Sequence, residues 1–500
     1  MSDILANHDA EILIIGSGMG GATLAAALAP TGRRIVIVER GKRLADSPEA
    51  RDPEAIFRDG HFRPDETWLT PEGERFNPGN YSCVGGNSKF YGAVLLRYRA
   101  EDFGRVRHLG GETPGWPIPY AEMEQWYQRA EEMYQVRGDV GADLTEPAHS
   151  GSYPHPPVPH EPEIADLAAR LTRAGLHPAP LPLGVDIDRW LVRAKTPWDA
   201  FPDTNAGKMD AETVGIAEAL KYKNVTLRTG VQVERLEVGA NGTLTAALTK
   251  GGDRISAKLI VLSAGAVHTP ALLFRSATEA FPTGLANASD QVGRNFMNHN
   301  ASALLALSPR RNRSVYQKTL YINDWYLTGG PKGEPLGNVQ LLGRVSAPIL
   351  AAQTGLPKPL AKLIADRAID FYVMSEDLPS PDSRVTLKDG ELVLDWRRSN
   401  WAAHEALVAK LKGALRRAGF PVLLSKAFDR RTPSHQCGTA RMGLDPANSV
   451  VDPWGRSHDH PNLFIADASV LPTSAAVNPS LTIAAQALRT AHHIVETEAA

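Results

Sequence analysis

The sequence predicts an α/β fold with two parts. One is a Rossmann-like domain on a doubly wound, parallel sheet, and the other is an α+β domain on a largely antiparallel sheet. Three observations predict this. Ala10–Ile15 is short, apolar and β-branched and runs into a glycine-rich loop. An Ala/Leu-rich helix at 22–29 and a second apolar strand, Ile35–Glu39, follow, which is the order of a βαβ unit. Short buried-type strands return at 224–229, 259–263 and 462–467, so the chain leaves this domain and comes back to it. Between 300 and 395 the pattern changes to alternating segments such as SALLALS, NVQLLGRV and DFYVMSE, as expected of antiparallel strands.

Residues 41–78 are polar and broken by Pro and Gly, which reads as a surface excursion. Helices are expected at 122–134 and 163–174. Between them lies a Pro/His/Gly-rich loop, 138–160, read as a lid with solvated histidines rather than metal ligands. A helix at 209–221 precedes the strand at 224–229, and a helix at 269–274 follows the strand at 259–263. Asp389-Gly390 between VTL and LVL signals a hairpin. A helix at 402–418 and a closing strand, loop and helix over 462–494 complete the chain. The expected division is 1–110, 195–300 and 430–500 for the first domain and 111–194 and 301–429 for the second.

Five hundred residues exceed one ordinary domain. The 54 Lys+Arg against 56 Asp+Glu leave no basic excess to neutralise a nucleic-acid backbone. A hydrophobic fraction of 43% rules out disorder over most of the length. Two cysteines, Cys83 and Cys437, exclude a disulfide framework and a Cys-built zinc or iron–sulfur site, so no metal site is expected. The N-terminal residues lack a basic segment followed by an apolar one, and no run of 18 apolar residues occurs. A cytoplasmic protein without signal peptide or membrane span is therefore expected.

Gly16, Gly18 and Gly21 fit G-x-G-x-x-G directly after a buried strand. The first permits the tight turn, the second admits a pyrophosphate to the backbone, and the third lets helix and strand pack closely. Glu39 ends the next strand, where a carboxylate can accept from ribose hydroxyls and disfavours a 2′-phosphate. This pattern leaves FAD and NAD both open.

Further blocks carry a resemblance. They are Cys83-Val84-Gly85-Gly86-Asn87-Ser88; Ser263-Ala264-Gly265-Ala266 with Thr269-Pro270; Val292-Gly293-Arg294-Asn295-Phe296-Met297-Asn298-His299; and Ser434-His435-Gln436-Cys437-Gly438-Thr439-Ala440-Arg441-Met442-Gly443. Val451-Asp452-Pro453, Ile465-Ala466-Asp467-Ala468-Ser469 and Val477-Asn478-Pro479 follow. In kind and order these resemble the glucose–methanol–choline (GMC) oxidoreductases. The resemblance implies an FAD-binding domain and oxidation of an alcohol. It also implies that Gly85, Gly86, Asn87, Ser88, Val233, Ala264, Asp467, Ala468, Asn478 and Pro479 join the glycine loop and Glu39 around the cofactor.

Asn478 in place of a second histidine, Gly337-Asn338-Val339-Gln340 and Met374–Ser380 are most similar to the pyranose-oxidase and glycoside 3-oxidase branch. That implies a sugar or glycoside substrate, with C3 preferred over C2, and oxygen or a quinone-like acceptor. A homo-oligomer or a separate electron-transfer partner stays open. Phe90 stands where the branch's fungal members carry the histidine that links the flavin, so non-covalent FAD is expected, with Cys83 a minor rival attachment point.

An alcohol must lose a proton from oxygen and a hydride from carbon. Imidazole is the natural base near neutrality, and by its place in the motif His435 is the candidate. Asn478 is read either as a donor to the substrate oxygen or as the cap of the last helix. Asp467 is expected to accept from backbone N–H groups or the ribityl chain. Arg441 is a structural anchor or a phosphate neighbour, and Asn298 and His299 are domain-interface residues. Trp325, Tyr326, Tyr372 and Trp396 read as core before sugar platforms, and Glu376 and Asp377 as turn residues or sugar contacts. The competing functions are oxidation of a choline-like, aryl or sterol alcohol and a non-catalytic flavin binder.

Overall fold

The computed structural model describes residues 9–193, 196–432 and 435–498; Ser434 of the quoted block and the first eight residues fall outside them. Five parallel strands stand in the order Val225–Thr229, Ile35–Glu39, Ala10–Ile15, Arg254–Leu262, Leu463–Ile465. Ile35–Glu39 is buried throughout and Ala10–Ile15 nearly so, as strands covered on both faces must be. Arg254–Leu262 has Ala10–Ile15 on one edge and two partners on the other. Its second half pairs with Leu463–Ile465, and its first half pairs antiparallel with Leu244–Thr249, which pairs in turn with Val233–Val238.

The helix Met19–Leu28 follows the glycine loop and packs against the C-terminal helix Ser480–Thr497. A Cβ on Gly21 would sit 2.2 Å from the Gly16 carbonyl oxygen, so a side chain there would push helix and strand apart.

The second sheet is antiparallel throughout, in the order Val422–Ala427, Asn300–Leu307, Ala368–Ser375, Asn338–Leu341, Leu320–Ile322, Pro178–Pro180. Its pleat sorts the side chains. Leu304, Ala306, Phe371, Val373, Val339 and Leu341 pack under the helices Pro162–Arg173 and Trp401–Arg417. The alternate positions Ala303, Leu305 and Tyr372 face a large cavity between the two domains.

Several expectations change. The stretch 41–78 is not wholly irregular: Trp68–Leu69 and Arg75–Phe76 extend the hairpin Arg384–Lys388/Glu391–Asp395 into a four-stranded sheet that crosses the expected domain boundary. Asp389 and Gly390 close that hairpin with φ of 52° and 80°, as a type I′ turn demands. The helix at 209–221 is a π-turn at Glu212–Ile216 with a short α-helical continuation. The strands Pro178–Pro180 and Val422–Ala427 were not legible, since one is Pro-bounded and the other is an exposed edge. Residues 138–160 do not cover the cavity. Tyr153 and Val158 are buried, Asp143 pairs with buried Arg99, and none of the segment lines the cavity. The cavity's outer wall comes instead from Ala347–Thr354 and from 424–428. Among the described residues no helix is long and apolar enough to cross a membrane, and no cluster suited to a metal ion occurs.

Candidate active site

Met297 and Cys437 exchange two backbone hydrogen bonds of 3.0 Å each as an isolated antiparallel bridge. Two residues outward on each strand, on the same face, stand His299 and His435. The bridge requires Gly438, since a Cβ there would lie 2.3 Å from the Asn295 carbonyl oxygen, and its φ is 93°. Asp377 fastens the His299 side by accepting from the Asn298 N–H at 3.0 Å. His435 adopts φ 70°, a left-handed conformation uncommon for a residue that carries a side chain.

The hydrogen bonds around His435 fix its tautomer from two sides. His299 Nε2 lies 3.0 Å from the Ser474 carbonyl oxygen, which can only accept. His299 therefore carries its proton on Nε2 and offers a lone pair at Nδ1. His435 Nδ1, 2.8 Å away, must donate to it, which leaves a lone pair on His435 Nε2.

The other side starts from Asp143, an acceptor paired with Arg99. Asn323 donates to it at 2.8 Å, Asn338 donates to Asn323 Oδ1 at 2.8 Å, and Gln340 donates to Asn338 Oδ1 at 2.9 Å. Gln340's second N–H donates to Asn478 Oδ1 at 2.9 Å. Asn478 thus turns its Nδ2 toward His435 Nε2, at 3.2 Å. Each amide's orientation follows from its neighbour's, and the two routes assign the same lone pair to Nε2. Asn478 does not cap the helix Ser480–Thr497; its side chain is committed to Gln340 and His435.

Burial pushes His435 well below the usual histidine value, and His299 and Lys318 push it further the same way. Burial likewise brings His299 down to about 4. Both rings are neutral at neutral pH, as the tautomer assignment requires.

His435 and Asn478 open onto a cavity of ≈ 1090 Å³ that runs back to the glycine loop, at the top of the range of about 300–1,000 Å³ usual for ligand pockets. Gly16 and Gly18 line it at the N-terminus of Met19–Leu28, where unpaired N–H groups favour an anion. Gly21 does not line it and serves packing. A Cβ on Gly18 would meet nothing within 4 Å, and one on Gly86 only Gly18 Cα at 3.7 Å, so both glycines leave open a channel that a side chain would fill. Gly85, Asn87 and Ser88 continue that wall, with Ala264, Ala468 and Pro479 opposite and Val233 beside Glu39's end.

Glu39 is buried and accepts from the Ser17 N–H at 3.1 Å, the Ser17 hydroxyl at 2.7 Å and the Gly41 N–H at 2.8 Å, which leaves capacity for a further donor. Asp467 accepts from the N–H groups of Gly265 and Ser469, each at 2.8 Å, and from the Thr269 hydroxyl at 2.6 Å. This set of open backbone, carboxylate end and helix terminus fits an elongated dinucleotide such as FAD.

His299 is the main revision: it touches His435 and is not a mere interface residue. Asn298 holds its strand in place. Arg441 donates to the Asn448 carbonyl and stands outside the cavity, which makes it an anchor. Among the four aromatics Tyr372 lines the cavity, edge-on to His435 at 6.4 Å between ring centres. Tyr326 bonds Asp102, Trp396 bonds Asp377, and Trp325 packs against the second core. Glu376 and Asp377 are buried behind the site, Glu376 accepting from the Ala475 N–H at 2.9 Å. Burial raises the Cys83 thiol to about 12 and it does not line the cavity, while Phe90 does, stacked on Tyr81. Sequence reasoning missed Lys318 and Asp199 at the cavity and Gln340 bonded to Asn478; period-two placement of Gln340 and Tyr372 on facing strands was the available signal.

Comparison with known proteins agrees with an FAD-binding chain. A family model described as FAD dependent oxidoreductase matches residues 11–285, and one described as GMC oxidoreductase matches 379–487. The chain is 31% identical to 6'''-hydroxyparomomycin C oxidase of Streptomyces lividus, over 98% of this chain and 92% of that one. It is 28% identical to 2-methyl-1,2-propanediol dehydrogenase of Mycolicibacterium austroafricanum (97% and 95%) and 26% identical to the fructose dehydrogenase large subunit of Gluconobacter japonicus (97% and 98%). The solved pyridoxine 4-oxidase from Mesorbium loti superposes with a TM-score of 0.68 at 20% identity, covering 97% of this chain and 99% of that one.

Replacing His299 tests the tautomer assignment. In His299→Phe, His435 Nδ1–H loses its acceptor, and the rate of cofactor reduction by substrate should fall on the order of 10²-fold, as for other small misplacements of a reacting group. His299 is itself neutral above about pH 4, so the substitution removes an acceptor and no charge while burial stays in force, and the acid limb of the rate should stay well below the ordinary histidine value. Rapid-mixing kinetics across pH 4–8 read both, and an unchanged rate would reduce His299 to a packing role.

Proposed function

The chain belongs to the GMC oxidoreductase family, as an FAD-dependent enzyme acting on alcohols, and we propose that it oxidises a secondary ring alcohol of a sugar or glycoside to a ketosugar, at C3 in preference to C2. The observation that carries the chemistry is the lone pair of His435 Nε2, held toward the cavity beside the Asn478 amide. The relatives named for fructose and for a hydroxyparomomycin support a polyhydroxylated substrate, and the preference for C3 rests on the branch resemblance.

FAD would be held with its pyrophosphate at Gly16, Gly18, Ala264 and the start of Met19–Leu28, its ribose at Glu39, and its ring system among Gly85–Ser88, Ala468 and Pro479. When bound, the flavin supplies the acceptor for the carbinol hydride. Phe90 offers no nucleophile and the Cys83 thiol is protonated, so the cofactor is held without a covalent bond. Reoxidation is by oxygen or a quinone-like acceptor; the relative named as a large subunit favours testing for an electron-transfer partner.

The substrate hydroxyl displaces the Asn478 N–H from the single lone pair of His435 Nε2, which takes the hydroxyl proton, and the imidazolium so formed stays bonded through Nδ1–H to His299 Nδ1. Asn478 has a second Nδ2–H for the substrate oxygen, and Gln340 prevents the amide from turning its oxygen there. The oxygen is steadied as negative charge grows on it, while an amide cannot compete for the proton.

Three outcomes are expected. His435→Ala should keep FAD yet slow its reduction by about 10²–10⁴-fold, the usual worth of a general base, and Asn478→Asp should also be severely slowed because a carboxylate repels a developing alkoxide. Near-normal reduction in His435→Ala would place the base elsewhere. Acid precipitation should release yellow flavin into the supernatant; colour retained by the pellet would mean a covalent link. Anaerobic incubation with free sugars and glycosides should bleach the cofactor and yield 3-ketosugars. A 2-keto product would move the specificity, and bleaching by simple alcohols but by no sugar would overturn the sugar reading.

A further inference from the structure

Asp199 and Lys318 form an ion pair of 2.8 Å that lines the same cavity as His435, and nothing described so far uses it. Lys318 is 4% exposed, yet its ammonium faces the cavity and lies 5.7 Å above the Tyr372 ring, whose edge in turn approaches His435.

The surroundings are shaped around the pair. A Cβ on Gly92 would fall 2.5 Å from Lys318 Cε and 2.8 Å from Asp199 Oδ1, and one on Gly343 would fall 2.4 Å from Asp199 Cβ. Neither glycine has a positive φ, so what each supplies is room. The Gly343 N–H holds Asp199 Oδ2 at 2.9 Å, which fixes the carboxylate's plane. Among the described residues Asp199 Oδ1 has no hydrogen-bond partner, and Lys318 bonds Asp199 alone, which leaves two of its three N–H donors unused.

A buried pair is weak evidence for stability, because desolvation offsets the attraction. A pair that keeps an acceptor and two donors turned to a cavity is instead equipped to bind. Adjacent hydroxyls match it: one donates its O–H to Asp199 Oδ1, and the next accepts from Lys318 Nζ.

Resting on the sugar reading above, the geometry points to Asp199 and Lys318 as the subsite that grips a vicinal hydroxyl pair of the substrate and so selects which ring carbon meets His435. They are specificity residues, apart from the proton transfer itself. The positive charge of Lys318 has a second effect, since it helps keep His435 unprotonated and ready to accept.

The test couples protein and substrate changes. FAD reduction would be measured anaerobically with methyl β-glucopyranoside and each of its monodeoxy analogues, in the wild type, Asp199→Asn, Lys318→Met and the double variant. The double variant removes both charges together and leaves no uncompensated buried ion, so it remains informative if either single variant fails to fold. The expected result is a loss of about tenfold to a hundredfold in kcat/KM for the parent glycoside, the usual worth of a hydrogen bond to a charged group. The same variants should show little further loss with the analogue that already lacks a gripped hydroxyl. Equal losses for every analogue, or none, with wild-type turnover intact, would overturn the subsite alone. No reduction of the wild-type cofactor by any glycoside or free sugar would instead sink the sugar reading on which it rests.

Discussion

His435 sits between two groups that can only accept hydrogen bonds, the Ser474 carbonyl beyond His299 and the Asp143 carboxylate beyond four amides. In a buried, low-dielectric setting an unmade hydrogen bond is costly, so the donors and acceptors along such a line must alternate consistently. The consequence is local and chemical: Nε2 of one imidazole is left without a proton and faces a cavity. Arg99 is fully buried beside Asp143 and keeps that carboxylate an acceptor, although it stands well away from the site. A change at Asn323 or Asn338 would be felt at Asn478 through the same alternation, without any contact to substrate.

The network crosses both domains, and this explains the arrangement of the sheets. Ser474, His435 and Asn478 return with the last part of the chain toward the first domain, while Asn338 and Gln340 come from the antiparallel sheet of the second and Asn323 follows its strand Leu320–Ile322. The pleat turns Gln340 and Tyr372 away from the helix-covered core, and the cavity lies along that face. Cofactor end and substrate end are thus built from different layers and meet at the imidazole.

Close approach governs the cofactor end. The glycines divide by what a side chain would strike: Gly21 would hit the backbone of its own loop, and Gly18 and Gly86 would obstruct empty space. Gly92 and Gly343 are a third kind, since a side chain there would strike the Asp199–Lys318 ion pair itself.

The sequence by itself determined the elements with strong local signatures. The βαβ start, Glu39 at a strand end, the Asp389-Gly390 hairpin, the period-two strands of 300–395 and the family's motif blocks are all contiguous patterns, and backbone sterics and burial act on them over a few residues. It brought His435 and Asn478 forward through the motifs that contain them. Tertiary structure alone decided that His299 touches His435, because that contact spans 136 residues and depends on the Met297–Cys437 bridge. It also decided that Gln340 orients Asn478, that 138–160 packs into the body instead of covering the cavity, and that Asp199 meets Lys318. Such pairings carry no local periodicity. They follow from which faces the sheets turn toward each other, and that is settled only when the two domains close.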